Sequence, residues 1–109
     1  MSEKIKVQST SGNVFADLGL ANADELLIKA ELVRQVGNLI NAKNLTQTEV
    51  ANILGIDQPK VSALLHGKLS GFSTERLFRF LNALGSDVEI RVIPRPRPES
   101  PAQTKIVIA

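Results

Sequence analysis

The chain has 109 residues, 43% of them apolar and 22% charged, with a formal net charge of +2. That length carries one domain and not two, and that composition is ordinary for a globule. With no cysteine and a single histidine, His66, disulfides, thiol chemistry and multi-histidine metal sites are excluded, and no apolar run reaches the roughly 20 residues of a membrane helix.

The polar start Met1-Ser-Glu-Lys-Ile-Lys6 lacks the apolar core of a signal peptide, which points to the cytoplasm. Residues 1–13 are unpatterned. Val14–Leu20 is a short apolar hook that lays Phe15, Leu18 and Leu20 over a core built elsewhere. These residues make an N-terminal extension, 1–21, ahead of the domain proper, 22–93.

Asn22-Ala-Asp-Glu25 reads as a capping box opening a first helix. Leu26, Ala30, Val33, Gly37 and Ile40 make one stripe, and Leu32, Val36 and Leu39 its neighbour. A face that wide implies contact with more than one element, or with a second subunit. Asn44 fits a left-handed stop. Thr46-Gln-Thr-Glu49 is a second capping box, and Gly55 ends the helix it opens. Asp57 caps a third helix with Pro59 in its first turn, where the missing N–H costs nothing, and Gly67 ends it. Ser73 caps a fourth, whose buried stripe is Leu77, Phe80, Leu81 and Leu84, with Gly85 as the stop.

Asp87–Ile93 alternates Val88, Ile90 and Val92 with Glu89 and Arg91, the period of a strand. One strand beside four helices has unpaired edges, so it is expected to pair with the same strand of a second copy, or with a partner's sheet. Pro94-Arg-Pro-Arg-Pro98 reads as a stiff polyproline linker opening the last segment, 94–109. The end, Lys105–Ala109, is β-prone. It is a strand induced on a partner, a strand on the protein's own sheet, or a frayed tail.

Thr46–His66 has the spacing of two short helices joined by a tight turn. Ala51 sits where the helices approach closely, Gly55 in the turn, and Val50, Leu54, Ile56, Val61 and Leu64 at contact positions. Leu45-Thr-Gln-Thr-Glu-Val-Ala51, Leu54-Gly-Ile56 and Gln58-Pro-Lys-Val-Ser-Ala-Leu-Leu-His-Gly67 resemble the Cro/repressor-like, or XRE-type, regulators over about residues 24–85. The resemblance implies a mostly α, four-to-five-helix bundle with a helix-turn-helix, to which the reading above adds the C-terminal strand paired between subunits.

It also implies a DNA-facing set. Gln58 and Pro59 begin the recognition helix in the major groove, where a glutamine amide can pair with both adenine N6 and N7. Pro59 stands where many relatives carry a polar residue, and offers only apolar contact. Lys60 reaches guanine or phosphate. Ser62 and Ala63 share the exposed face, the alanine suiting a thymine methyl. Gln47 looks like the family's phosphate-binding glutamine, which also braces the recognition helix. His66 is a helix C-cap or a phosphate contact, and Lys68 suits a phosphate. Lys43 and Arg76 are weaker candidates for such contacts, and read more readily as solvated charges.

The layout around the core, from the Asn13–Leu20 hook to Leu84–Ile90, is similar to small HigA-type antitoxins. That implies an autorepressor reading a palindromic operator as a dimer, with double-stranded DNA, a second copy and a RelE/HigB-like toxin ribonuclease as partners. A stand-alone regulator, or an interaction module that has lost DNA binding, are the alternatives. No cofactor is expected. With no phosphate loop, histidine dyad or carboxylate cluster of metal spacing, neither is an enzyme.

Overall fold

The computed structural model describes residues 23–109. The hook at 14–20 and the Asn22 cap lie outside them. Four helices follow in order: α1 (Ala23–Ala42), α2 (Gln47–Leu54), α3 (Gln58–Leu65) and α4 (Thr74–Ala83), with a single 3-10 turn at Leu69–Gly71 between the last two. α1 packs chiefly along α4, and α2 against α3, so the two short helices are held in the angle between the outer pair.

Each start is chemical and local. The Thr46 hydroxyl accepts from Glu49 N at 3.1 Å while Glu49 Oε1 accepts from Thr46 N at 2.8 Å, closing the reciprocal box. Asp57 caps α3 through Lys60 N at 2.9 Å, and Ser73 caps α4 through Arg76 N at 3.1 Å. The stops share one geometry. Asn44, Gly55, Gly67 and Gly85 are left-handed. The residue after each donates back to the helix: Leu45 to Ile40, Ile56 to Ala51, Lys68 to Ala63 and Ser86 to Leu81, at 2.9–3.1 Å.

The core is Leu32, Val36, Ile40, Val50, Ala51, Val61, Leu64, Phe72, Leu77, Phe80, Leu81 and Leu84. On α1 the deepest line is Leu32, Val36 and Ile40, spaced four apart, while Leu26, Ala30, Val33, Gly37 and Leu39 are only half-buried. The Lys29 stem is also buried, its ammonium 3.4 Å from Glu25. On the outer face Glu31 accepts from Arg34 Nε and Nη2, at 3.2 and 2.9 Å, and this hydrogen bonding and charge hold the guanidinium above its ordinary pKa. A Cβ at Gly37 would meet nothing within 4 Å. Gly37→Ala is therefore expected to stabilise the domain by about 0.5–1 kcal/mol through the unfolded chain's entropy, read as a higher melting temperature by circular dichroism.

The expected strand needs correction. Residues 87–93 are not in a ladder, and there is no strand among the described residues. The physical reason is the missing edge, since a strand exists only through the bonds a neighbour supplies. The Pro/Arg segment is not a straight rod either. Arg95 donates to the Ser100 carbonyl at 2.7 Å and Ser100 N to the Arg97 carbonyl at 3.1 Å, so the chain turns back there. The tail joins no sheet of its own, although Ile106 comes to rest half-buried on the core, as Val88 does.

Candidate nucleic-acid interface

The joint between α2 and α3 is the residues Gly55, Ile56 and Asp57. Gly55 at φ 71° makes the left-handed step, and its amide and that of Ile56 both end on the Ala51 carbonyl, at 2.9 and 3.1 Å. Ala51, Val50, Val61 and Leu64 fill the angle between the helices, with Leu54, Ile56 and Leu65 at its rim. The packing leaves one face of α3 outward.

Gln58, Pro59 and Lys60 are exposed at the start of α3, Ser62 and Ala63 are half-buried on it, and His66 and Lys68 are exposed beyond its end. Gln47 is exposed at the first position of α2. The brace comes from its neighbour: Gln58 Nε2 donates to the Thr48 hydroxyl at 2.9 Å. One Gln58 N–H and its carbonyl oxygen remain, the donor and acceptor that a bidentate contact to adenine uses.

His66 is the cap of α3. Its Nδ1 donates to the Ser62 carbonyl at 2.7 Å and lies 3.4 Å from the Ser62 hydroxyl. This fixes the ring and leaves Nε2 outward. Lys60 and Lys68 have no ion pair among the described residues. Of the acids on either side in sequence, Glu49 and Asp57 are bonded to amides at helix N-termini, where the helix dipole offsets their charge, and Glu75 pairs with Arg79. Among the described residues no group of three histidines or acids gathers as a metal ion would need, and no helix is long and apolar enough to cross a membrane.

A helix-turn-helix domain family matches residues 14–93. A solved structure whose given name is XRE family transcriptional regulator is 44% identical, with a TM-score of 0.77, covering 81% of this chain and 99% of its own. The chain belongs to the XRE helix-turn-helix family. Nothing among curated proteins matches it.

Two residues of this XRE-family domain carry contacts that the sequence reading did not assign. Thr48 is one. The other is Arg76, which is no solvated charge. Its guanidinium lies 5.2 Å from the Phe72 ring centre and 5.5 Å from that of Phe80, with Nη1 3.5 Å from the Gly71 carbonyl. The two rings meet edge to face at 5.9 Å. Arg76 thereby ties the 3-10 turn after the recognition helix to α4. Only part of the signal was in the spacing: Arg76 and Phe80 are four apart on α4, whereas Phe72 lies in extended chain before the helix and is brought to them by the turn. Lys43 lies elsewhere, its Nζ 3.6 Å from where a Cβ on Gly85 would stand.

Thr48→Val keeps the shape and removes the acceptor. The fold is expected to hold, while affinity for a DNA site read by Gln58 falls about three- to tenfold, the range of one hydrogen bond. Fluorescence-anisotropy titration with labelled duplex reads the change.

Proposed function

We propose that this chain is a sequence-specific DNA-binding transcriptional repressor, reading a palindromic operator as a homodimer through α3, and that it is the autorepressing antitoxin of a toxin–antitoxin pair. The observation that carries DNA reading is the amide of Gln58, held by Thr48 at the exposed start of α3 with a donor and an acceptor to spare. Gln47, Pro59, Lys60, Ser62 and Ala63 share its surroundings. The alanine and the proline suit thymine methyls, and Lys60 a guanine edge or a phosphate. Gln47, His66 and Lys68 flank the helix as phosphate contacts, which set register and carry no sequence code.

One such helix offers few base contacts, and each good bidentate pair discriminates by only about 1–3 kcal/mol. Two copies on one face of DNA multiply that discrimination, which is what a two-fold dimer on half-sites about 10 base pairs apart achieves. The antitoxin reading is supported by the layout of the chain and by its exposed apolar C-terminal segment, which suits a protein partner. The partner is then a RelE/HigB-like ribonuclease and the setting the cytoplasm.

The test is titration onto the chain's own promoter DNA and onto random DNA at two salt concentrations. Preference for the promoter, with affinity falling steeply as salt rises, is the expected result. Equal weak binding to both at both salts overturns it. Lys68→Ala is expected to weaken both DNAs alike and reduce the salt slope by about 1 per subunit. Copurification with a small basic ribonuclease separates the antitoxin from a stand-alone regulator.

A further inference from the structure

The described surface carries six exposed large apolar residues, and five of them lie beyond the helices: Ile90 (71% exposed), Val92 (95%), Ile93 (75%), Val107 and Ile108. Glu89 and Arg91 form an ion pair with each other, which puts their side chains together, as alternate residues of extended chain stand. Val88, Ile90 and Val92 take the opposite face. Val88 is already half-buried against the core, whereas Val92 at the other end touches almost nothing. Residues 87–95 border an open groove with Ile28, Leu39 and Phe78.

We infer that residues 87–93 pair antiparallel with the same residues of a second copy, about a two-fold axis through Ile90. This deepens the dimer reading above and rests on it. In an antiparallel pair, residues directly opposite share a face. With the axis at Ile90, Val88 stands opposite the partner's Val92, Ile90 opposite the partner's Ile90, and Glu89 opposite the partner's Arg91. From 88 to 92 each apolar residue meets an apolar one and each charge its opposite, while Asp87 and Ile93 face each other at the ends of the ladder.

Neighbouring registers fail. With the axis at Glu89, two carboxylates face each other, and with the axis at Arg91, two guanidiniums do. A shift by one position sets every charge against an aliphatic side chain. The chosen register also brings Val92, the most exposed of these residues, to the rim of the partner's core, where Val88 already packs. Pro94 then ends the ladder, since it has no N–H to donate.

The test is charge exchange on the full chain, read by sedimentation velocity over a concentration series without DNA. Glu89→Arg and Arg91→Glu each replace two opposite-charge pairs with two like-charge pairs per dimer. Each is expected to raise the dimer dissociation constant about tenfold or more. The double variant restores both pairs and is expected to return within about threefold of the parent, because the pairing is reciprocal. Circular dichroism confirms that the helices persist in all four proteins. A parent chain that stays monomeric, single variants that dimerise like the parent, or a double variant no better than the singles would each overturn the register. Because DNA is absent, operator binding can fail while this pairing stands, and the reverse.

Discussion

Leu64→Ala is expected to lower stability by about 2–5 kcal/mol, a large share of the roughly 5–15 kcal/mol that holds a domain of this size. Leu64 is fully buried on the inner side of α3. Its removal leaves a cavity that Val50, Val61 and Leu77, themselves fully buried, can close only in part. The melting temperature is then expected to fall by about 10–30 °C. Far-UV circular dichroism is the measurement, since the chain has neither tryptophan nor tyrosine to report by fluorescence. DNA binding is lost with the fold, so at a temperature where the variant is still native its base preference is expected to be unchanged. A preference altered in the folded variant would mean that Leu64 shapes the reading face directly.

Gln58→Ala is expected to do the converse. The residue is exposed, so the melting temperature stays within a degree or two of the parent. Loss of the proposed bidentate contact costs about 1–3 kcal/mol in each half-site, and the proposed dimer carries two, so operator affinity is expected to fall by about 30-fold at the least. The diagnostic is specificity. Substituting one base pair per half-site for the three alternatives is expected to reveal a position where the parent discriminates and the variant does not. Uniform weakening with the discrimination kept would reassign Gln58 to the phosphates.

The helix boundaries were legible because their chemistry is local. Thr46, Asp57 and Ser73 bind amides three residues on, and Asn44, Gly55, Gly67 and Gly85 each take the left-handed step, so the starts of α2, α3 and α4 and the stops of all four helices depend on residues beside them in the sequence. The buried stripe of α4 was equally plain. On α1 the pattern was too broad to choose among, because Leu32, Val36 and Ile40 are singled out by where α4 lies, which periodicity does not contain.

The Thr48–Gln58 bond was hidden for the same reason, since it joins two helices across the turn. A glutamine at 47 and a threonine at 48 are equally good candidates until the crossing of α2 and α3 is known. The strand at 87–93 was read from alternation alone, which reports how the faces of an extended segment differ and says nothing of whether a neighbour is present to bond it.

α2 and α3 each have eight residues, well short of the roughly 12–15 at which an isolated helix begins to persist in water. Their caps and stops fix where they begin and end, but only the grip of α1 and α4 keeps them formed. The reading surface is therefore all or nothing: a chain that loses the outer pair loses its hold on DNA in the same event. The lifetime of regulation is then the lifetime of the native state, and a protease that catches the opened domain ends both together.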